Sequence, residues 1–568
     1  MKHLKSLFAA LLLTAFASVA PVAHAATTTK LVIAGSSAMW QAMALGAYNN
    51  GNCITGAKAP CFHYTAKNFN LTDTRPATKG GSNATDLGNI WIVWDSSTTT
   101  QVYVYLRVDS VVGTRCYYAQ PRCNVNIASF PAPGNLISST LWGDNSSDST
   151  PPSGVSSLFT NGTLLVNTAA TDIRPEDGLF AQCRSNSALG GGPDGLDGLG
   201  YGTSASGVCP AFGATLAQLQ GTDILSAYPS STATAHNLAF NISGTDPFTG
   251  TAVVKGSTQK VGAAPIIFIT SRSGALKNVK NATDAQLHTL FGGTTCRGNV
   301  LAGGTTGNVQ VFLREPLSGT MNTTEYTVFR YPNEDGTSQE KGVAAQNPLS
   351  KSCTAGGKRY RSVGTGEEVN FVLNSNTNYG TDGIGYTFFS YGNVSGIANS
   401  TSYGYLTLDS VDGIFKTYAG GDPGQPGNGT LPAAANLPAS CAGAFPCPES
   451  AIWTGGQSFP NLRSGSYRAW SVLRLVSNGA ALSSANLLIS TSQTFAVNST
   501  PDFVPAVKVG ADPGLLLLRS HYSTGAVNFG TTEAGRDEGG CIEHGSTNST
   551  TQQVQEVNGK ACSTFVQN

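Results

Sequence analysis

The chain has 568 residues, 33 basic and 33 acidic side chains, and only 12% charged residues in all. This balance offers no basic face for a nucleic acid, which we therefore exclude as a partner. The length allows two or three domains and a large hydrophobic core.

The first residues have the pattern of a secretory signal peptide. Lys2 and Lys5 precede a mostly apolar run at 7–19, and Ala23-His24-Ala25 is a small-x-small cleavage site. The apolar run is too short to span a membrane comfortably, and no later run is long enough. We expect residues 1–25 to be removed and the mature chain, 26–568, to be secreted into the periplasm or the extracellular space.

All twelve cysteines lie in the mature chain, and an even number in an exported protein favours disulfides. The sequence leaves the connectivity open, and pairing of neighbours is the simplest arrangement. Those pairs are Cys53 with Cys61, Cys116 with Cys123, Cys183 with Cys209, Cys296 with Cys353, Cys441 with Cys447, and Cys541 with Cys562. No Cys-x-x-Cys motif is present and the histidines are scattered, so we expect no metal site and no cofactor.

The first strand–helix unit is predicted at the start of the mature chain. The run at 30–35 is typical of a buried strand, and Ser36 and Ser37 are suited to cap a helix that begins near Ala38. The amino end of such a helix can receive an anion.

The next elements are predicted to be strands that end in polar residues. Aromatic and β-branched runs at 90–94 and 102–108 flank a Ser/Thr-rich turn and predict a β-hairpin, which ends in Asp109-Ser110. A further strand at 164–170 leads to Asp172.

The second half of the chain continues the alternation of strands and helices. Strands are predicted at 265–270, 309–313 and 383–389, and a short helix at 282–291. A later helix is predicted to contain Trp470, Leu473 and Leu475. This alternation indicates an α/β fold with mainly parallel sheets.

The most informative motif follows the strand at 309–313. Arg314 offers a planar fork of donors that fits phosphate or carboxylate, and Ser318-Gly319-Thr320 adds hydroxyls and N–H groups before a helix predicted from Thr323. This layout predicts an oxyanion site. The alternative is an arginine in a surface ion pair beside a capped helix.

Several of these segments occur in the same order in one known family. They are 33–38, 170–172, 265–270 with 282–291, 314–320, 383–386 and 405–413. Through them the chain resembles the periplasmic phosphate-binding proteins of phosphate ABC transporters, which are type 2 periplasmic binding proteins. The resemblance covers about half of the mature chain, and the Arg…Ser-Gly-Thr block is its most specific part.

The resemblance implies two α/β lobes joined by a two-strand hinge, with inserted β-rich and loop segments. The first lobe would take residues 26–260, with an insertion at about 46–160, and the second lobe residues 261–392. Residues 393–568 would return to the first lobe with a loop-rich insertion and a disulfide-held tail.

The resemblance also implies the ligand contacts. In the first lobe they would be the Ser37 hydroxyl, the Ala38 N–H and a serine for which Ser110 is the candidate and Ser153 the competitor. In the second lobe they would be the Arg314 fork, Ser318, the Gly319 N–H and Thr320.

Asp172 would accept a hydrogen bond from a proton that the ligand carries. A carboxylate that faces a fully deprotonated anion sets acceptor against acceptor, whereas a ligand that carries a proton can donate to it. Phosphate keeps a proton at neutral pH and sulfate does not, so discrimination could reach roughly 10⁴-fold. The alternative for Asp172 is a helix cap or an ion pair with Arg174.

One residue departs from the family pattern. Pro316 stands where the family often has an aspartate, two residues after the arginine, and proline has neither an N–H nor a carboxylate.

We therefore expect a monomeric, non-enzymatic solute-binding protein that delivers phosphate or a similar oxyanion to an ABC-transporter permease. The first alternative is an extracellular binding or adhesion protein that uses the same fold for another ligand. A secreted hydrolase is the second, with His521 as its most suggestive histidine.

Overall fold

A computed structural model describes residues 27–49, 61–72, 85–95, 101–118, 121–142, 146–173, 256–315, 317–329, 350–362, 364–390, 403–414, 459–463, 467–498 and 502–506. The predicted signal peptide, Arg174, Pro316 and His521 lie outside these ranges. Within the ranges, no helix combines the length and apolar character needed to cross a membrane.

Seventeen strands and ten α-helices are described. The strands are β1 Thr28–Gly35, β2 Phe62–Thr72, β3 Thr85–Trp94, β4 Gln101–Arg107, β5 Asn124–Asn126, β6 Thr168–Thr171, β7 Ser257–Ser271, β8 Asn281–Ala282, β9 Thr295–Cys296, β10 Gln310–Arg314, β11 Ser350–Ser352, β12 Ala355–Gly356, β13 Lys358–Ser362, β14 Gly383–Phe388, β15 Tyr403–Leu408, β16 Trp470–Ser477 and β17 Val504–Pro505. The helices are α1 Trp40–Asn49, α2 Ser110–Tyr118, α3 Ser139–Trp142, α4 Ser153–Thr160, α5 Asp284–Phe291, α6 Gly319–Thr324, α7 Gly364–Leu373, α8 Ser375–Tyr379, α9 Pro460–Arg463 and α10 Gly479–Asn498. A 3₁₀ turn spans Gly298–Val300, and a π-helical turn, Glu325–Phe329, continues α6.

The first lobe is built on the strand order β7-β16-β6-β1-β4-β3-β2-β5. The pairs β6–β1 and β1–β4 are parallel, and the predicted hairpin is confirmed as the antiparallel pair of β3 and β4. Leu31 and Ile33 face a core that includes α1 and α10, while Val32 and Ala34 face a second core with α2 and α4. This period of two leaves both faces of the strand buried, as in other α/β sheets.

The second lobe has the strand order β11-β13-β10-β14-β7, with β15 also on β7. The pairs β13–β10 and β10–β14 are parallel. The predicted helix at 282–291 is confirmed as α5, which begins at a capping box between Thr283 and Gln286. The buried residues of α5 are Leu287, Leu290 and Phe291.

Strand β7 joins the two lobes because it is long enough to belong to both. Its 15 residues pair with β16 from Ser257 to Pro265 and with β14 from Ile266 to Thr270. The chain returns beside the same point, where the Ile266 N–H donates to the Ala469 carbonyl at 2.7 Å. Two neighbouring segments therefore cross the junction.

Three sequence predictions about the elements were wrong. Trp470, Leu473 and Leu475 lie in strand β16, not in a helix. All eight residues of β16 are buried between β7 and β6. Apolar side chains therefore occupy both faces of the strand, and no strand period is visible in the sequence. The sheets are mixed, because β7 pairs antiparallel with its neighbours and β2, β3 and β5 extend the first sheet antiparallel. The helix after Arg314 begins at Gly319, not near Thr323.

Two of the predicted disulfides are confirmed. Cys116 is bonded to Cys123, and Cys296 is bonded to Cys353. Cys61 is also disulfide-bonded, but Cys53, the partner predicted for Cys61, lies outside the described residues. The other three predicted pairs lie outside them altogether, and their pairing stays a prediction: Cys183 with Cys209, Cys441 with Cys447, and Cys541 with Cys562.

Candidate functional site

A cleft of about 220 Å³ lies between the lobes, where strands β1, β4 and β10 end and α7 begins. Its lining comes from both lobes and consists of Ser37, Leu87, Gly88, Asn89, Arg107, Val108, Asp109, Arg314, Gly364, Thr365, Gly366 and Glu367. Ligands of open α/β sheets bind outside the carboxyl ends of the strands, so this is the position where a site is expected.

Arg314 is buried at this cleft, and carboxylates surround its guanidinium. Glu315 binds it bidentately, with Nε–Oε2 at 2.9 Å and Nη2–Oε1 at 2.8 Å. From the other lobe, Asp109 Oδ1 accepts from Nη2 at 3.0 Å. The predicted fork for an oxyanion therefore already holds two carboxylates, and this ion pair is buried rather than on the surface.

The pKa values of the Arg314 cluster follow from this geometry. Burial works against the charge of Arg314, but Glu315, Asp109 and Glu368 raise its pKa above the usual value. Burial likewise opposes ionisation of Glu315, but Arg314 lowers its pKa to about 2. Both partners are therefore charged at neutral pH.

Glu368 is the third carboxyl group beside Arg314, and it behaves differently. Its Oε1 accepts from the Tyr386 N–H at 2.9 Å, whereas its Oε2 lies 3.8 Å from Arg314 Nε, too far for a hydrogen bond. Burial raises the pKa of Glu368 well above its usual range, more than Arg314 lowers it. Burial therefore disfavours the charged form of this carboxyl group.

Ser37 joins Arg314 across the cleft through Thr365. Arg314 Nη1 donates to Thr365 Oγ1 at 2.8 Å, and Thr365 Oγ1 lies 3.0 Å from Ser37 Oγ. The Ala38 N–H, which was predicted to hold the ligand, donates to Ser36 Oγ at 3.1 Å.

Ser110, Asp172 and Gly319 form a second group of predicted residues. The Asp172 N–H donates to Ser110 Oγ at 3.4 Å. A Cβ built at Gly319 would overlap the Asp172 carboxylate and lie 2.6 Å from Ser110 Oγ, so glycine is required for this approach between lobes. The competitor Ser153 is instead the first residue of α4, where it is exposed.

Ser318 and Thr320 are buried at the start of α6. Ser318 Oγ accepts from the Met321 N–H at 3.3 Å, and the Thr320 carbonyl accepts from Thr324 Oγ1 at 2.7 Å. In this arrangement the Ser318 hydroxyl caps the helix.

Arg107 is a cleft residue that the sequence analysis missed. It ends β4, and its guanidinium carbon lies 4.6 Å from the centroid of the Trp40 ring. The Asn89 amide, turned with its oxygen towards the guanidinium, accepts from Nη2 at 2.5 Å and from Nε at 3.2 Å. Asn89 pairs with Arg107 across β3 and β4, a register that no local sequence pattern gives.

A Ser–His–Asp chain lies on the strand β2 side of the first lobe. His63 Nδ1 is 2.9 Å from Asp148 Oδ1, and His63 Nε2 is 2.8 Å from Ser146 Oγ. His521 was the histidine predicted for such chemistry, and His63 was not predicted. Because Asp148 Oδ2 also accepts from the N–H of Thr65 (2.9 Å) and of Asn135 (2.8 Å), the same contacts fasten the segment around Asp148 to β2.

Comparison with known proteins gives similarity at the level of fold. No family model matches the chain, and no curated protein matches it. Among solved structures, a putative phosphate ABC transporter substrate-binding protein from Clostridium perfringens with bound phosphate is 17% identical over 44% of this chain and 72% of its own, with a TM-score of 0.26. An ancestral soluble variant of the human phosphate binding protein is 13% identical over 90% of this chain and 98% of its own, with a TM-score of 0.32. A phosphate-binding protein from Stenotrophomonas maltophilia is 14% identical over 66% of this chain and 70% of its own, with a TM-score of 0.26.

Proposed function

We propose that this chain is an exported solute-binding protein that captures phosphate, or a similar protonated oxyanion, between its two lobes for an ABC-transporter permease. The observation that carries the proposal is the contact chain from Ser37 through Thr365 to Arg314 beside the cleft. It joins hydroxyl donors of both lobes to a fixed guanidinium, which is what recognition of an oxyanion requires.

Capture would require the lobes to separate and close again. Asp172 and Ser110 pack against Gly319, so an oxyanion that reaches the N–H groups of α6 must first part these residues. Closure would then set the ligand between Asp172 and the helix start, and hinge motion of this kind is common in periplasmic binding proteins. Asp172 would select a ligand that still carries a proton.

The test is isothermal titration of residues 26–568 with phosphate and with sulfate. We expect phosphate to bind and sulfate not to bind, and Asp172→Asn to remove the difference, because an amide can donate to a deprotonated oxygen. Ser37→Ala should weaken binding by about tenfold, the worth of one hydrogen bond to a charged group. Equal affinity of the wild-type chain for the two anions would contradict the role of Asp172.

A second candidate function, a serine hydrolase, is favoured by the Ser146–His63–Asp148 chain. Its distances match those of a nucleophile, a base and an orienting carboxylate. The test is labelling with a fluorophosphonate probe, with Ser146→Ala as the control. Labelling that disappears in Ser146→Ala would support the hydrolase. If the wild-type chain is not labelled, the contacts of Asp148 with Thr65 and Asn135 are purely structural.

A further inference from the structure

Arg107 differs from Arg314 in having no counter-ion among the residues that the structure describes. Within the described ranges, no carboxylate contacts its guanidinium: one face lies against Trp40, and Nε and Nη2 meet the Asn89 amide. Burial lowers the pKa of Arg107 to about 10, against an opposing effect of Tyr105. A charged group so desolvated gains strongly from an anion placed beside it.

The position of Arg107 directs it towards the cleft. It lines the cleft with Ser37 and with Gly366 of the first turn of α7. The first N–H groups of a helix have no partner within the helix, and its dipole favours an anion there. In α7 the Gly364 N–H donates to Glu315 Oε1 at 3.1 Å, so a ligand would use the N–H groups that follow it. The Nη1 group of Arg107, which neither Asn89 nor another described residue engages, is left to bind a ligand.

Leu87 adds an apolar surface to the same cleft. It is 62% exposed, one of three large apolar side chains that stand out in this way in the described part of the chain. An exposed leucine at the rim of a polar cleft suits a ligand whose anionic end is inside and whose organic end lies at the rim.

We propose that Arg107 is a further anion-binding residue of this cleft, and that the ligand is a phosphate monoester whose apolar organic group lies on Leu87. The inference rests on the proposed function, because it names the ligand class of the same cleft. The phosphoryl oxygens that do not face Asp172 bind the free N–H groups of Arg107, the Ser37 hydroxyl and the first turn of α7. Arg314, whose guanidinium already donates to Glu315 and Asp109, positions Thr365.

The experiment is isothermal titration of residues 26–568 with phenyl phosphate and with inorganic phosphate. We expect phenyl phosphate to bind about tenfold more tightly, from the apolar area of Leu87 that it covers. Arg107→Gln should weaken both anions by about 10- to 100-fold, as expected for charge-assisted hydrogen bonds. Leu87→Thr should weaken phenyl phosphate alone.

Arg122 offers a matched control, because its guanidinium also stacks on an aromatic ring, that of Tyr117 at 4.4 Å, but it does not line the cleft. Arg122→Gln should leave both affinities unchanged, and Arg107→Lys, which keeps the charge without the fork, should fall between Arg107→Gln and the wild-type chain. Melting curves should show that each variant folds.

The outcomes separate this inference from the proposed function. If inorganic phosphate binds equally well to Arg107→Gln and to the wild-type chain, the role of Arg107 is overturned and the proposed function still stands. Equal affinities of the wild-type chain for the two anions overturn the monoester assignment. A wild-type chain that binds neither anion overturns both proposals.

Discussion

Replacing Arg314 by methionine should destabilise the fold strongly, because the change leaves carboxylates buried without a counter-charge. Glu315 is fully buried, and the side chain of Asp109 is only 12% exposed. Breaking a buried ion pair by removing one partner typically costs about 3–5 kcal/mol of unfolding free energy, whereas an exposed pair is worth about 1 kcal/mol or less. We expect Arg314→Met to lower the unfolding free energy by an amount in this range of about 3–5 kcal/mol.

The assay is urea-induced unfolding with the disulfides intact. At pH 7 the variant should unfold at a clearly lower urea concentration, and Arg314→Met with Glu315→Gln should recover a large part of the loss. Arg468 is the matched control, since its partners Asp284 and Asp409 are 28% and 39% exposed. Arg468→Met should cost about 1 kcal/mol or less.

The pH dependence fixes the cause of the effect. Arg314 lowers the pKa of Glu315 to about 2, so this pair stabilises the fold fully above the unfolded pKa near 4.5. Its contribution is lost as the pH falls from there towards 2, and the difference between wild type and Arg314→Met should shrink over that range. A loss below about 1 kcal/mol at pH 7, or no recovery in the double variant, would refute the reasoning.

Three further predictions follow from single contacts. Glu368→Gln should raise the unfolding free energy at pH 7 and have no effect near pH 4. The reason is that a carboxyl group whose pKa is raised in the folded state costs stability only above its unfolded pKa. Urea unfolding curves at both pH values check this. Gly319→Ala should keep the lobes apart through overlap with Asp172, which a larger radius of gyration in X-ray scattering and lost phosphate binding would reveal. Replacing Cys296 and Cys353, 57 residues apart, by serine should cost about 4 kcal/mol in urea unfolding by the loop-entropy model; a loss near 1 kcal/mol would contradict it.

The sequence predicted those elements whose local chemistry is sufficient. Strand β1 and strand β10 are short apolar runs that end in Gly35 and Arg314, and α5 carries both its capping box and its apolar face within a few residues. Strand β16 could not be read in the same way, because a strand buried on both faces has no alternation.

The cleft was harder to predict than the elements that form it. Arg314, Ser37, Ser110, Asp172 and Gly319 were predicted as site residues because each follows a strand or begins a helix, and of these Ser37 and Arg314 line the cleft. The partners of Arg314 were not, since Asp109 is 205 residues away in the chain and Thr365 is 51 residues away. Only Glu315 had a local signal, as the acidic residue directly after the arginine.

The charge balance at Arg314 limits what this arginine can do for a ligand. Glu315 and Asp109 already occupy donors of its guanidinium, so little of the charge of Arg314 is left for an incoming anion. Attraction must come from Arg107, from hydroxyl and N–H donors, and from the helix end.

The pair of Arg314 with Asp109 also joins the lobes without any ligand. A ligand shifts a conformational equilibrium only by its difference in affinity for the two states. Binding must therefore stabilise the closed lobes beyond what this pair already contributes. Asp109→Asn should weaken the pair and make closure depend more steeply on phosphate, which scattering at increasing phosphate concentrations can measure. If the Asp109→Asn chain were as closed as the wild type in phosphate-free buffer, the pair would not be what holds the lobes together.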